Sequence, residues 1–230
     1  MDRISIILPS YERPTLLIGA LQNIESQISS DYEIEVVVVV DDDIDGFDVS
    51  SNYFDKTDKV LGITIGRKQK YSHIAAWNLG LANASGNLFV HMGDDGRFHG
   101  NALQLAYNTH KDKLSGYGMV AFNDLNMNGD TQVGTHVFFD KQFCKDVLGG
   151  VMCVPHYKGY CVDLEFNERA RGAGKYVWCQ QAVLEHLHSS NGKRELFEDE
   201  MTRTQYSPED TALFERRKTL GFPNDFEPVI

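Results

Sequence analysis

The chain has 230 residues, of which 42% are hydrophobic and 24% are charged, and its mean hydropathy is −0.34. A chain of this length buries about 70% of the surface that its unfolded form exposes, so it needs neither disulfides nor a metal to hold a core. Its 33 acidic residues outnumber the 22 basic ones and give a formal charge of −11. This surplus argues against binding of phosphate backbones or anionic membranes by the bulk surface, although it leaves a local basic groove open.

Two further features bear on the cellular compartment. The longest unbroken apolar run, residues 36–40, is far shorter than the roughly 20 residues of a membrane span, and the chain begins directly with a strand-like segment. We therefore expect neither a signal peptide nor a transmembrane helix. Cys144, Cys153, Cys161 and Cys179 form no CxxC pair, which favours reduced thiols in a cytoplasmic protein over a zinc site.

The first half of the chain alternates strand and helix patterns. Residues 4–8 form an apolar run that ends at Pro9, and apolar residues then recur at helical spacing over residues 16–28. Residues 34–40 are β-branched without polar alternation, which is typical of a parallel strand covered on both faces. The next predicted elements are a strand at 60–65, a helix at 71–84 and a strand at 88–92.

The second half is less regular. We predict a helix at 101–113, strands at 119–122 and 133–139 that form a hairpin through a turn at 126–129, a helix at 164–171 and a strand at 176–184. A last helix is predicted after Ser207, with Pro208 at its first position, acids in its first turn, and Gly221 and Pro223 at its end. The chain is thus predicted to form one α/β domain with a more irregular C-terminal third.

Acidic residues follow two of the predicted strands. Asp41, Asp42 and Asp43 follow the second strand, and Asp94 and Asp95 follow the fourth. Ligands of an open parallel sheet bind beyond the carboxyl ends of its strands, where both clusters are expected. Two carboxylate clusters at one edge repel each other unless a cation or a donor-rich ligand lies between them. The pattern predicts a divalent-metal site, although acids also favour turns and solvated faces.

The segment at Asp163 and two EF-hand-like patterns are further candidates for acidic binding sites. Asp163 begins the segment DLEFNERARG, which by itself is typical of a charged helix N-terminus. EF-hand-like patterns begin at Asp41 and Asp124, but position 12 of the loop carries Asn52 and Thr135 instead of glutamate, and strands replace the flanking helices. We therefore do not expect EF-hand calcium binding.

The order of four segments along the chain identifies a family resemblance: ISIILPSYERP, VVVVVDDD, AAWNLGLANASGNLFVHMGDD and VDLEFNERARGAG. Together they cover roughly residues 3–174 and resemble the family-2 glycosyltransferases of GT-A fold. The later LEHLHSSNGK segment, the acidic EDE and the helix after Ser207 are similar to the C-terminal part of small bacterial and phage members. The resemblance implies a Rossmann-like, mostly parallel sheet flanked by helices, with a mixed C-terminal part. Residues 1–95 would bind the nucleotide sugar, residues 96–190 the acceptor, and residues 191–230 would form a helical tail.

The resemblance also implies which residues bind the donor. Pro9, Tyr11 and Arg13 match the loop that holds the nucleotide base, where Tyr11 could stack on a uracil. Asp42 matches the aspartate that accepts a hydrogen bond from the base, with Asp41 as the adjacent alternative. The other implied donor contacts are Arg67 beside the diphosphate, Asn78 on the following helix, and Asp94 at ribose or sugar hydroxyls.

The metal site and the base are implied in the same way. Asp95 would ligate Mg²⁺ or Mn²⁺ bridging the diphosphate, and His186 and His188 stand where GT-A enzymes often supply a late metal ligand. A lone histidine on a strand is nevertheless often structural. Asp163 matches the general base that deprotonates the acceptor hydroxyl.

Two positions depart from the family pattern. Gly93 replaces the first acid of the DxD motif, and Val162 replaces the acid that usually precedes the base. A metal held mainly by diphosphate oxygens needs only one or two carboxylates, so Gly93 is compatible with metal binding. Val162 changes the surroundings of the base and leaves Asp163 itself in place.

We thus expect a metal-dependent glycosyltransferase that moves a sugar from a UDP-sugar to an acceptor hydroxyl, with inversion. The acceptor is left open, and residues 149–160 are expected to form its loop. Two alternatives are a non-catalytic module that binds a nucleotide sugar or a divalent metal, and a nucleotidyltransferase. The latter would normally carry a glycine-rich, basic phosphate loop after the first strand, where this chain has SYERP.

Overall fold

A computed structural model describes residues 1–68, 72–125, 132–188, 193 and 207–230. The strands are β1 (Asp2–Ser10), β2 (Tyr32–Asp41), β3 (Leu61–Arg67), β4 (Leu88–His91), β5 (Gly96–Phe98), β6 (Met119–Asn123), β7 (Val137–Asp140) and β8 (Tyr176–His186). The helices are α1 (Pro14–Glu25), α2 (Ile44–Phe54), α3 (His73–Asn83), α4 (Ala102–Leu114), α5 (Lys141–Val147), α6 (Val162–Gly172) and α7 (Pro208–Thr219).

All eight strands form one sheet in the order β3-β2-β1-β4-β7-β6-β8-β5. Strands β3, β2, β1 and β4 are mutually parallel. Strand β7 runs antiparallel to both β4 and β6, whereas β8 runs parallel to β6 and antiparallel to β5. Consequently the C-terminal ends of β1, β2, β3, β4, β6 and β8 all lie at one edge of the sheet, which confirms the predicted α/β class with a mixed second half.

Strand β2 shows why its sequence is apolar without alternation. Val36, Val38 and Val40 pack into one core cluster, on the face that α1 and α4 cover. Val37 and Val39 pack into a second cluster on the opposite face, together with residues of α3. Because helices cover both faces, every position from Ile34 to Asp41 is buried, as the residue pattern predicts.

The structure corrects several predicted elements. Helix α1 ends at Glu25, so Ile28, which the helical spacing included, lies outside it with 48% of its surface exposed. Helices α2 and α5 and the short strand β5 were not predicted. The predicted pairing of β6 with β7 is confirmed, but β7 also pairs with β4, so it is a central strand of the sheet. The predicted turn at 126–129 lies outside the described residues.

Cys144, Cys153, Cys161 and Cys179 are all buried free thiols. Within the described ranges, no helix is long and apolar enough to cross a membrane.

Candidate active site

The carboxyl edge of the sheet gathers most of the predicted site residues. Ser10 ends β1, Asp41 ends β2, Arg67 ends β3 and His186 ends β8. The Asp94–Asp95 pair lies in the short connection between β4 and β5. Residues far apart in sequence therefore meet at one place because their strands run in the same direction.

Asp94 is fully buried and bound from two sides. Its Oδ2 accepts a hydrogen bond from Ser10 Oγ at 2.8 Å, and its Oδ1 lies 2.9 Å from the guanidinium Nη2 of Arg13. The same guanidinium lies 3.8 Å from Asp95. The structure thus places Arg13 against the two acids. Ser10 is a site residue that the sequence analysis missed.

The glycine at the first DxD position has a steric reason. A Cβ added to Gly93 would lie 2.7 Å from Asp95 Oδ1, a distance that real Cβ atoms essentially never show. An aspartate at this position would therefore displace the carboxylate of Asp95 or the backbone that carries it.

Asp95 pairs with His186, whose Nε2 lies 3.4 Å from Asp95 Oδ1. Burial by itself would raise the pKa of the Asp95 carboxyl, but the hydrogen bond and charge of His186, together with the charge of Arg13, hold that pKa below its usual range. His188 follows on the same strand end, with its ring centroid 5.0 Å from that of His186. Of the two predicted histidines, the structure puts His186 in contact with an acid of the site.

A divalent cation fits the Asp95–His186 pair as a partial site. Two neighbouring ligands of an octahedral Mg²⁺ or Mn²⁺ lie about 3 Å apart, which is close to the observed separation of the pair. Among the described residues, no group of three His, Cys, Asp or Glu side chains is placed to hold a metal. An ion at this pair would therefore take its other ligands from a bound molecule or from water.

Asp163 lies in the first turn of α6. Its Oδ1 accepts a hydrogen bond from the backbone N–H of Leu164 at 2.9 Å. Burial raises the pKa of Asp163, while that hydrogen bond and the charge of His186 act in the opposite direction. The carboxyl is therefore a better proton acceptor than an exposed aspartate, and His186 lies close enough for its charge to act on it.

Two more polar side chains at this edge were not singled out as site residues. Asp124 lies directly after β6 and is fully buried. Its carboxylate accepts a hydrogen bond from Thr135 Oγ1 at 2.9 Å, and its backbone carbonyl accepts one from His186 N–H at 3.1 Å. The ring of His136 lies 4.9 Å from that of His186, and burial lowers its pKa to about 3, so it is neutral. The position of Asp124 at the end of a buried strand was a usable signal, whereas His136 had none.

The second acidic cluster forms a separate part of the edge. Asp41 is buried, and its carboxylate lies 3.2 Å from Arg67 Nε and accepts a hydrogen bond from Ser72 N–H at 2.8 Å. Burial raises the pKa of Asp41, and the bond from Ser72 and the charge of Arg67 counteract this. Asp42 is exposed, and its backbone lies in the left-handed region with φ 44°. Of the two neighbouring acids, Asp41 is therefore the one whose carboxylate contacts the guanidinium of Arg67, whereas Asp42 donates its backbone N–H to Arg67 O at 2.6 Å.

The remaining predicted donor residues differ in their contacts. Pro9 is buried within β1, opposite Val39 of β2, and Tyr11 lies half-buried in the loop that follows. The amide of Asn78 bonds to the backbone of Met152 and Cys153: Oδ1 accepts from both N–H groups at 3.0 Å, and Nδ2 donates to Cys153 O at 2.7 Å.

Comparison with known families decides the general class. The profile described as glycosyl transferase family 2 matches residues 5–165, which is more than half of the chain. The chain belongs to glycosyl transferase family 2. Membership makes it a glycosyltransferase, and the alternatives of a non-catalytic module and a nucleotidyltransferase are set aside. A comparison with curated protein sequences gives no match.

Solved structures agree on the fold of this family-2 glycosyltransferase. A Staphylococcus aureus TarS fragment, residues 1-349, in complex with UDP-GlcNAc has a TM-score of 0.73 at 14% identity, covering 99% of this chain and 68% of that fragment. The mannosyltransferase PcManGT from Pyrobaculum calidifontis, in complex with GDP-Man and Mn²⁺, has a TM-score of 0.68 at 16% identity, covering 97% of this chain and 71% of its own. Mannosyl-3-phosphoglycerate synthase from Rubrobacter xylanophilus has a TM-score of 0.62 at 14% identity, covering 98% of this chain and 77% of the synthase. At these identities the likeness establishes the GT-A fold.

Proposed function

We propose that this family-2 glycosyltransferase transfers a sugar from a UDP-sugar to an acceptor hydroxyl, with inversion and with Asp163 as the general base. The observation that carries the proposal is the contact of Asp95 with His186 at the carboxyl edge of the sheet, together with an Asp163 carboxyl close enough for the charge of His186 to act on its pKa. The solved TarS complex with UDP-GlcNAc and the PcManGT complex with GDP-Man and Mn²⁺ support a nucleotide-sugar donor and a divalent ion.

On the donor side, the base and ribose would lie near Tyr11 and the Asp41–Arg67 pair, and the diphosphate near Arg13 and Asp95. Asp95 and His186 would hold Mn²⁺ or Mg²⁺, which supplies charge to stabilise the departing diphosphate. Arg13 already lies between Asp94 and Asp95 and would add positive charge on the same side. Stabilising charge that develops on a leaving group is among the largest contributions to catalysis.

On the acceptor side, the hydroxyl oxygen forms the new bond to the anomeric carbon while the bond from that carbon to the diphosphate oxygen breaks. The electron pair of the broken bond leaves with the diphosphate, and the hydroxyl proton passes to the Asp163 carboxylate. A raised pKa suits this role, because a base works best when its pKa approaches the working pH. One such displacement inverts the anomeric centre.

The first test is calorimetric titration of UDP and GDP into the protein with Mn²⁺ and then with EDTA. The variants are Asp95→Ala and, as the matched control, Asp112→Ala, an exposed aspartate on α4. We expect UDP to bind in the presence of Mn²⁺. Its affinity should fall at least about tenfold with EDTA, which removes the ion, and in Asp95→Ala, which removes one ligand of the ion. The control variant should behave as wild type.

Two outcomes would contradict the proposal. If GDP binds and UDP does not, the choice of nucleotide is wrong while the donor site stands. If neither nucleotide binds under any condition, the assigned donor site itself is wrong.

A further inference from the structure

The segment between α5 and α6, residues 148–161, contains neither helix nor strand, yet much of it is buried. Val151, Met152, Cys153 and Val154 are at most 6% exposed. Buried backbone groups need hydrogen-bond partners, and irregular backbone supplies fewer of them to itself than a helix or a paired strand does. Other parts of the chain must therefore hold this segment, hereafter called the 148–161 loop.

The second half of the loop is held by one carboxylate. Asp210, which is 1% exposed, accepts hydrogen bonds from three consecutive backbone N–H groups. The bonds come from Lys158 at 2.9 and 3.1 Å, Gly159 at 2.9 Å and Tyr160 at 2.7 Å. Hydrogen bonds to a charged acceptor are about twice as strong as neutral ones, so this contact fixes the local backbone.

Asp210 does this from an unusual place, the first turn of α7. The Oγ of Ser207 accepts a hydrogen bond from Asp210 N–H at 3.1 Å, as in an ordinary N-cap. In a capping box the acidic side chain three residues later would return to the N–H of the cap residue. Here the side chain of Asp210 instead reaches across to the 148–161 loop, more than 50 positions earlier in the chain.

Helix α7 is itself anchored to α6, the helix that carries Asp163. Arg217 is 2% exposed and donates to Glu165 of α6 at 2.8 and 3.2 Å. Glu165 also accepts from Tyr157 Oη of the loop at 2.6 Å. Near the chain end, Val229 N–H donates to Gly150 O at 2.8 Å. The C-terminal segment thus contacts both the loop and α6 through buried hydrogen bonds.

The loop passes directly into the first turn of α6. Cys161 is the N-cap residue, with φ 65° in the left-handed region, and its carbonyl accepts from Glu165 N–H at 3.1 Å. Asp163 lies inside this turn. A shift of the backbone at Tyr160 therefore displaces the turn that orients the Asp163 carboxyl.

We infer that Asp210 is a positioning residue for the transfer reaction, which fixes the 148–161 loop and through it the first turn of α6 with Asp163. This inference rests on the proposed role of Asp163. It assigns the C-terminal segment a part in the acceptor half of the site and none in donor binding.

The test compares Asp210→Ala and Asp210→Asn with Glu209→Ala, which removes a neighbouring acid of the same helix turn that makes no hydrogen bond to the loop. Hydrogen exchange followed by mass spectrometry gives the protection of residues 158–160 and of the Glu165 amide. Calorimetry gives UDP affinity with Mn²⁺, and UDP release from a UDP-sugar gives turnover.

For Asp210→Ala we expect exchange at residues 158–160 and at Glu165 to be at least about tenfold faster. Turnover should fall about 10- to 100-fold, the size of effect that a misplacement of about 1 Å produces. UDP affinity should stay within about twofold of wild type, because this loop supplies none of the assigned donor contacts. Asp210→Asn keeps one acceptor oxygen and should fall between wild type and alanine, and Glu209→Ala should match wild type.

Either of two results for Asp210→Ala would overturn the inference. The first is faster hydrogen exchange at residues 158–160 with an unchanged exchange rate of the Glu165 amide or with unchanged turnover. The second is a loss of UDP affinity as large as the loss of turnover. The Asn variant provides the same comparison if the Ala variant does not fold. If the wild-type protein binds no nucleotide, the proposed function fails, whereas the Glu165 exchange still tests the link between Asp210 and α6.

Discussion

Three of the acids at the edge of the sheet have a basic neighbour. Arg13 lies against Asp94, His186 against Asp95, and Arg67 against Asp41. Buried carboxylates without such partners would cost several kcal/mol each, so these pairs allow the acids to stay close together before a ligand arrives. In the proposed function, Arg13 adds positive charge on the side where the diphosphate would bind.

Asp163 provides the most direct test of the mechanism at the residue scale. We expect Asp163→Asn to lower turnover by about 10²- to 10⁴-fold, since the amide cannot accept the acceptor proton. Nucleotide affinity should stay within about twofold of wild type. Glu168→Gln, a neutralised acid of the same helix that pairs with Arg171 and Lys218, is the matched control and should keep its activity. Retained turnover in Asp163→Asn would assign the base elsewhere.

The same variant should change the dependence of stability on pH. Burial raises the pKa of Asp163 in the folded state. At pH values between the unfolded and the folded pKa, the folded protein therefore keeps a proton that the unfolded chain has lost. Stability therefore decreases as pH rises from the ordinary aspartate pKa to the folded one. Asn carries no charge, so Asp163→Asn should have a higher Tm than wild type at about pH 7 and lose that advantage below about pH 4. Thermal unfolding at both pH values checks this, and a lower Tm at neutral pH would contradict it.

At the scale of elements, α3 joins the parallel strands to the 148–161 loop. It contributes Asn78, whose amide makes three hydrogen bonds to the backbone of Met152 and Cys153. The sequence resemblance assigns Asn78 to donor binding, whereas these contacts point to a structural link between the two halves of the domain.

Replacement of Asn78 separates these two roles. Asn78→Ala leaves buried N–H and C=O groups of the loop without this partner, and we expect the free energy of unfolding to fall by about 2–4 kcal/mol. UDP affinity should change less than about twofold if Asn78 is structural. Denaturant unfolding and calorimetry give the two numbers. Asn83→Ala, which removes only an exposed contact to Leu79 O on the same helix, is the control. A loss of UDP affinity without a loss of stability would restore the donor-binding assignment.

The elements that the sequence analysis missed share a physical cause. Helix α2 has only Gly46 and Ser50 fully buried, and the apolar residues that it packs against the core, Phe47, Tyr53 and Phe54, are only partly buried. Its apolar face is therefore weak, and its start resembles a solvated acidic run. Asp43 nevertheless caps it by accepting from Gly46 N–H at 2.9 Å. Strand β5 has three residues and α5 has seven, which is too short for a periodic pattern.

At the scale of the whole molecule, the C-terminal segment completes the second half of the domain. Phe214 of α7 enters the core cluster that also contains Phe166 of α6. Arg217 is almost fully buried between Glu165, Asp225 and the carbonyl of Pro223. Such a buried charge is tolerated only when its hydrogen bonds are satisfied.

We therefore expect Arg217→Ala to destabilise the whole domain. Removing the guanidinium leaves the buried carboxylate of Glu165 with one basic partner fewer, and breaking such a pair costs about 3–5 kcal/mol. Arg216→Ala, at the exposed neighbouring position of α7, should change stability by less than about 0.5 kcal/mol. Chemical denaturation measures both variants. Equal stability of the two would show that α7 is not anchored through Arg217.

The sequence by itself determined the fold class, the order of most strands and helices, and the acids that follow the strands. These properties are local, because burial on two faces fixes the composition of a strand and the parallel direction fixes which residues reach its carboxyl edge. The motif order also sufficed to identify the family and to nominate the acids as site residues.

Only the tertiary structure decided which neighbouring side chains are brought together. It selected Asp41 over the exposed Asp42, explained Gly93 by the space that Asp95 occupies, and connected Asp210 to the loop before α6. These outcomes depend on partners that lie far away in the chain or on close steric fit. Neither periodicity nor composition carries that information, because both describe a residue only by its near neighbours in sequence.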